Sequence, residues 1–447
     1  MHRLLRSLLF GFVSTALFAQ LAPTPPMGWN SWDSYGLSVT EDEFKSNVDW
    51  LNTNLKQYGW VYVVVDEGWY IPHPESHGKP SWQFTLGEYG RFFPATNRFP
   101  SATKSQGFKP LADYVHSLGL KFGIHIIRGI PREAVEKNLP IAGSNFHAAD
   151  AADKSDTCAW NPDNYGVRDN AAGQAYYDSL AGLYARWELD FIKVDCIASR
   201  PFKGDEIRMI HDAIGKTHRP IVLSLSPGPT SLAVAAVVAV NAQMWRISDD
   251  FWDIWRNGPG DEWEQNLHDQ FATAAAWAPQ VQAGEWPDAD MLPLGYLGPR
   301  PGQGSPRQSR LTHDEQFTLM TLWSIIRSPL IIGANLTRND DWTTNLLTNR
   351  EVLDVNQHST SNRPIIISNK LVVWSAMAAA AHGHYIAAFN RGDQPLDVQL
   401  NWNEFGLAGA AYNVRDLWQH KDLGAAKLLK VTLQPHACRL LLLTQPS

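Results

Sequence analysis

Short apolar runs that end on a charged or polar residue recur along this chain, each followed by a stretch of helical periodicity, and this alternation restricts the fold more than any other feature. Residues 61–65 run into Asp66 and Glu67, 120–124 into His125, 191–194 into Asp195, and 221–225 into Ser226. Residues 244–248 lead to Asp249 and Asp250, a further segment leads to Asp288-Ala289-Asp290, and 329–333 is another apolar run. With residues 27–32 as a first strand that has Trp32 at its end, eight strands are expected. Continuous apolar runs suit strands buried on both faces, the habit of parallel sheets. Helical patterns separate them. Phe44, Val48, Leu51 and Leu55 carry one over residues 40–58, with Thr40 and Asp42 as capping candidates, and others cover 108–118, 173–187 and 311–327. In the last of these Thr312 and Glu315 form a capping box. Strand and helix in alternation predict a (β/α)8 barrel, whose strand ends converge on one mouth.

The 447 residues exceed one ordinary core, so a second domain is expected. Beyond residue 362 the texture changes to short β-type runs at 365–367, 371–374, 384–389, 396–400 and 439–443. Barrel over 21–362 and antiparallel β-sandwich over 363–447 is the resulting division. Residues 1–20, with Arg3 and Arg6 before a short apolar stretch and Ala19-Gln20, have the form of a signal peptide. Export to a periplasmic or extracellular location is therefore expected, with no membrane residence after cleavage. Three cysteines, Cys158, Cys196 and Cys438, allow one intramolecular disulfide at most. A net charge of −7 leaves no basic footprint for nucleic acid. The 19 tryptophans hint at sugar, since indole faces stack on the C–H faces of pyranose rings, although most fill core.

Acidic residues at several strand ends, with Lys193 and Arg246 beside them, describe a carboxylate-lined pocket. Alone, Lys193-x-Asp195 also fits a buried ion pair or a strand-end cap. Metal hydrolysis would call for histidine ligands, yet the sequence has no His-Glu-x-x-His, and His382-x-His384 falls in the β-domain, so neither metal nor cofactor is expected. A Gly-rich phosphate cradle is missing too. Glycoside hydrolysis, which uses a nucleophilic carboxylate and an acid/base carboxylate, fits best.

The ordered motifs Pro25-Pro26-Met27-Gly28-Trp29-Asn30-Ser31-Trp32, Ile192-Lys193-Val194-Asp195, Trp245-Arg246-Ile247-Ser248-Asp249-Asp250, Asp288-Ala289-Asp290-Met291-Leu292 and Arg327-Ser328-Pro329-Leu330 resemble those of glycoside hydrolase family 27, the α-galactosidase and α-N-acetylgalactosaminidase family. The resemblance spans nearly the whole barrel and implies the same two-domain fold. It implies Asp195 as nucleophile and Asp250 as general acid/base, with Asp249 a rival excluded or chosen by strand alternation. It further implies Asp66 and Glu67 as the pair that grips the 4- and 6-hydroxyls, Trp32 as an aromatic wall, Asp290 as a further pocket residue, and Lys193, Arg246, His125 and Ser226 as substrate contacts. Terminal α-D-galactosyl groups of oligosaccharides or polysaccharide side chains are the implied substrates. β-L-Arabinopyranosidase and α-N-acetylgalactosaminidase are alternatives on the same scaffold, and a non-catalytic sugar-binding protein is one of another class. Oligomeric state is not set by the sequence.

The chain also departs from the family. Leu37 and Gly68 stand where eukaryotic members carry a cysteine pair. Members often link the third and fourth βα loops, which implies a Cys158–Cys196 bridge here and leaves Cys438 buried in the sandwich. His125 replaces a common tyrosine and Glu67 an aspartate. Ser226 and Pro229 lie in the loop that reads the sugar's 2-substituent, and their small size keeps N-acetylgalactosamine open.

Overall fold

The computed structural model describes residues 21–79, 82–103, 106–258, 264–378, 382–407 and 411–446; the expected signal peptide lies outside them. Eight parallel strands, β1 (Met27–Asn30), β2 (Tyr62–Val65), β3 (Lys121–Ile127), β4 (Phe191–Asp195), β5 (Val222–Leu225), β6 (Met244–Arg246), β7 (Trp286–Asp288) and β8 (Leu330–Ile332), form one sheet in the order β7-β6-β5-β4-β3-β2-β1-β8. Leu292, just past β7, closes the ring: its N–H donates to Ile331 O at 2.7 Å and its carbonyl accepts from Gly333 N at 3.2 Å. β2 and β5 are buried at every residue, Ser224 of β5 included, as strands covered on both faces are. Tyr62, Val64, Phe191, Val222, Met244 and Trp286 pack with Ala22 into a plug inside the barrel. The opposite end stays open. β1 approaches β2 so closely that a Cβ on Gly28 would lie 2.1 Å from Tyr62 O.

The surrounding helices are α1 (Glu41–Asn54), α2 (Lys109–Ser117), α3 (Ala171–Arg186), α4 (Gly204–Lys216), α5 (Ala235–Asn241), α6 (Leu267–Trp277), α7 (His313–Ile325), α8 (Asp341–Thr348) and α9 (Arg350–His358). Thr40 caps α1 and Thr312 caps α7, each in a reciprocal box with the glutamate three residues on, so Asp42 is not the cap. α3 starts before the apolar periodicity does, because Asn170 Oδ1 accepts the Gly173 N–H.

Three strand ends differ from the sequence expectation, each for a local reason. Trp32 does not end β1: Asn30 Oδ1 accepts its N–H at 2.8 Å, and the chain turns into a short helix, Trp32–Tyr35. β3 continues two residues past His125, because Ile127 pairs with Asp195. β6 stops at Arg246, whose guanidinium donates to Asp249 O at 2.8 Å and folds the following chain back, so Asp249 and Asp250 lie beyond the strand. Between β3 and the helix that opens at Ala171, an insertion over 128–166 carries secondary structure of its own. It holds a small antiparallel sheet of Ile130–Pro131, Asn164–Val167 and Ala152–Thr157.

The C-terminal part contains β9 (Ser359–Ile367), β10 (Leu371–Ala378), β11 (Gly383–Asn390), β12 (Leu396–Asn401), β13 (Tyr412–Asp416), β14 (Lys421–Ala426), β15 (Leu428–Leu433) and β16 (Cys438–Thr444). The divide expected after residue 362 falls inside β9. A six-stranded antiparallel sheet, β9-β10-β11-β16-β13-β14, is faced by the β12-β15 pair. Alternation along the strands sorts side chains between two cores. Val373, Ile386, Ala388, Leu441 and Leu443 fill the sandwich, whereas Trp374, Ala387, Phe389 and Leu440 belong to the main barrel core. Cys438 follows the second set: it is buried, as expected, but its Sγ meets Thr321 Oγ1 of α7 at 3.3 Å instead of the sandwich interior. α7 is consequently buried from Glu315 to Ile325 except at Phe317, covered by the barrel on one side and the β-domain on the other.

Candidate active site

The open end of the barrel holds a cavity of about 410 Å³, and all ten expected catalytic and substrate-binding residues line it: Trp32, Asp66, Glu67, His125, Lys193, Asp195, Ser226, Arg246, Asp250 and Asp290. Asp195 ends β4, and its Oδ1 accepts the Cys196 N–H at 2.6 Å. Cys196 itself sits at φ +61° and is joined by a disulfide to Cys158 in the 128–166 insertion. That left-handed backbone is held from two sides, since Ile197 N also donates to Ser226 O. The bridge implied by family resemblance therefore ties the residue after the candidate nucleophile to the third βα loop.

Lys193, two residues before Asp195, points to the same cavity, as strand alternation requires. Its Nζ lies 3.1 Å from Asp66 Oδ2, which also accepts from Asn30 Nδ2 at 2.6 Å. Burial alone would raise the Asp66 carboxyl, but Lys193, His125 and the Glu67 N–H together hold it well below the usual carboxylate range. Asp195 follows the same logic. Burial raises it, and His125, whose Nε2 lies 3.6 Å from its Oδ2, with Lys193 and the Cys196 N–H, brings it below its ordinary value. Asp195 is thus an anion at neutral pH, the state a nucleophile needs.

Glu67 behaves oppositely. Burial pushes it up to about 7; His125 opposes the shift, while Asp195 and Asp66 add to it. Its Oε1 accepts from Asn161 Nδ2 at 2.5 Å. Asn161 is itself fixed, for its Oδ1 accepts the Asp163 N–H, and Asp163 receives the Tyr70 hydroxyl and lies 3.1 Å from His77 Nε2. Glu67, His125 and Asp195 each offer a ligand atom within 4.8 Å of the others, and are the residues that could hold a cation. The imidazole of His125 is raised above its ordinary value despite burial, chiefly by Asp66 and Asp195, so these carboxylates favour its protonated form there.

On the other wall Arg246 lies 2.7 Å from Asp290 Oδ2 and 3.1 Å from Asp250 Oδ1. Asp290 adopts φ +86°, a conformation that its surroundings dictate: its carboxylate accepts from Phe251 N and Met291 N, and its carbonyl from Trp323 Nε1. Burial raises Asp290 to about 6 against the pull of Arg246. Asp249 and Asp250 both line the cavity, so strand alternation does not choose between them as the sequence reading assumed. Their partners do differ. Asp249 pairs with Arg200, a largely exposed side chain, while Asp250 pairs with the buried Arg246 and keeps half of its own side chain open to solvent.

Other lining residues were not singled out by sequence, among them Asp33, His77, Arg200 and Trp252. Asp33 is buried, carries an unpartnered Oδ2, and has a carboxyl raised well above its ordinary value by burial and then by Asp290. Its place directly after Trp32 was the only available signal. Leu37 and Gly68, where relatives in the resembling family have their cysteine pair, do lie against each other: a Cβ on Gly68 would come 2.9 Å from Leu37 Cδ2.

Comparison with known proteins agrees with this geometry. The family model described as "Alpha galactosidase A" matches residues 154–358, and that described as "Alpha galactosidase C-terminal beta sandwich domain" matches 368–443. The chain is similar to the crystal structure of a GH27 β-L-arabinopyranosidase from Geobacillus stearothermophilus, with 49% identity, coverage of 95% of this chain and 97% of that one, and a TM-score of 0.90. It is 28% identical to alpha-galactosidase 3 of Arabidopsis thaliana over 435 residues, 95% of this chain and 82% of the relative. With alpha-galactosidase A of Cellvibrio japonicus the identity is 26%, covering 95% and 92%.

Proposed function

Since the chain belongs to glycoside hydrolase family 27, we propose that it is a retaining exo-glycosidase with Asp195 as nucleophile and Asp250 as general acid/base, acting on non-reducing terminal α-D-galactosyl groups of oligosaccharides or polysaccharide side chains. The observation that carries this reading is the ionised Asp195 facing, across one cavity, a half-open Asp250 held by Arg246. In the first step an Asp195 oxygen attacks the anomeric carbon while Asp250 gives its proton to the departing glycosidic oxygen. In the second, Asp250 takes a proton from water, the resulting hydroxyl displaces Asp195 from the anomeric carbon, and configuration is retained. Lys193 and Asp66, Arg246 and Asp290 form two buried ion pairs that supply donors and acceptors to ring hydroxyls without needing to reorganise.

A second reading, β-L-arabinopyranosidase, is favoured by Glu67. β-L-Arabinopyranose repeats the ring hydroxyl pattern of α-D-galactopyranose without the hydroxymethyl group, and Glu67 carries one methylene more than the aspartate it replaces. Hydrolysis rates for aryl α-D-galactoside, β-L-arabinopyranoside and α-N-acetylgalactosaminide decide the glycone. Mass spectrometry after reaction with a mechanism-based glycosyl fluoride tests the chemistry. A covalent adduct on Asp195 supports the enzyme; sugar binding without any adduct would favour a non-catalytic sugar-binding protein. We also propose export from the cytoplasm, a location that the oxidised Cys158–Cys196 pair supports, to be checked by cell fractionation.

A further inference from the structure

We propose that Trp160 is a stacking platform for the leaving group, taking the pyranose ring on the far side of the scissile bond. The proposal rests on the glycosidase reading above and names the part of the substrate that reading leaves unassigned. Trp160 lines the cavity yet leaves 45% of its surface in water, whereas Phe251 and Trp252 in the same lining are buried. Its two flanks are fixed. Two residues before it, Cys158 is bonded to Cys196 beside the nucleophile; directly after it, Asn161 is buried and held by Glu67 and the Asp163 N–H.

An exposed indole between two anchors loses little further freedom when a ligand settles on it, so its contact area converts to affinity efficiently. Elsewhere on the rim, Arg200 pairs with Asp249 and donates to Gly228 O at 2.9 Å. Aromatic face on one element and an ion pair on another is the chemistry that a sugar ring matches, with its C–H face on the indole and its hydroxyls toward charge. The deeper groups, Asp66, Lys193, Arg246 and Asp290, are those the proposed function assigns to the glycone. The rim is therefore where a second ring would rest, and Asp249 acquires a binding role distinct from the acid/base role of its neighbour.

The experiment compares two substrates that share a glycone. One is α-D-galactosyl fluoride, which has no leaving-group ring, and the other is the α-1,6-linked galactosyl-glucose disaccharide; the β-L-arabinopyranosyl pair replaces them if the screen selects that glycone. The ratio of kcat/KM for disaccharide over fluoride should fall ~10-fold or more in Trp160→Ala, mainly through KM, and stay near the wild-type ratio in Trp160→Phe, which keeps an aromatic face. An unmoved ratio in Trp160→Ala, or equal losses on both substrates, would overturn the platform. Wild-type enzyme that releases no fluoride would overturn the parent reading and this one with it.

Discussion

Shortening Glu67 to aspartate is the most informative single change in this pocket. Removing one methylene draws the carboxylate back by about 1.5 Å, one C–C bond length. The hydrogen bond from Asn161 Nδ2, now 2.5 Å, would open to roughly 4 Å and cease to exist. Losing that bond to a buried acceptor costs about 1–3 kcal/mol of stability, which a folded chain of this size can absorb. What the pocket gains is the volume of a methylene against the exocyclic carbon of a hexose. Discrimination by one such group is worth about 1–3 kcal/mol, or roughly 10- to 200-fold. The ratio of kcat/KM for p-nitrophenyl α-D-galactoside over p-nitrophenyl β-L-arabinopyranoside should therefore rise by at least ~10-fold in Glu67→Asp. Circular dichroism confirms that the variant is folded. A ratio that stays within about twofold of wild type, in a folded and active variant, refutes discrimination at the sixth carbon, since twofold corresponds to only ~0.4 kcal/mol.

Asp195→Asn should abolish turnover of every glycoside while leaving the circular dichroism spectrum intact, because an amide cannot form the glycosyl ester; near-normal rates would remove the proposed nucleophile. Asp250→Asn should still form the intermediate from activated aryl glycosides, and azide should rescue its second step. If Asp249→Asn behaves this way instead, the acid/base is one residue earlier. The pH dependence of kcat/KM should contain a limb near pH 7 that disappears in Glu67→Gln, while Asp290, raised to about 6, continues to titrate in that variant. The stability effect has a defined sign. The folded-state pKa of Glu67 lies above its ordinary 4.5, so its contribution is fully present below that value and is lost as pH rises through about 7. Wild-type Tm relative to Glu67→Gln should accordingly fall over this window, and a flat difference would contradict the burial argument.

The parts of the fold and site that were legible in the sequence are those set by local periodicity. Asp66 and Asp195 could be placed because each terminates an apolar run, and a parallel strand buried on both faces announces itself by composition, whereas Asp288 was placed by its Asp-x-Asp pattern and its order in the chain. The capping box at Thr312 was readable from its local Thr-x-x-Glu spacing, while at the start of α1 the sequence offered Thr40 and Asp42 and the structure selects Thr40. Where a side chain reaches back to the backbone, periodicity misleads. Asn30 turns Trp32 out of β1, and Arg246 ends β6 before Asp249, neither of which leaves a trace in hydrophobic pattern. Contacts between distant loops were invisible altogether: Asn161 meets Glu67 across 94 positions of sequence, and nothing near either residue predicts the pairing. β14 was missed because its sequence, Lys421-Asp422-Leu423-Gly424-Ala425-Ala426, is mostly exposed and poor in β-branched residues, so only pairing with β13 makes it a strand.

The burial of α7 between barrel and β-domain has a consequence for anyone who wishes to shorten this protein. Thr318 Oγ1 donates to His436 O, Trp418 Nε1 donates to Thr321 Oγ1, and Glu315 pairs with His436, so the helix that leads into β8 is anchored as much by the C-terminal sheet as by its own barrel. Truncation before β9 would strip that helix of one wall and leave its apolar surface in water, a surface suited to self-association. The two domains are better regarded as a single cooperative unit: melting in a calorimeter should occur as one transition, and the isolated barrel should aggregate on expression even though every residue of its catalytic cavity would still be encoded.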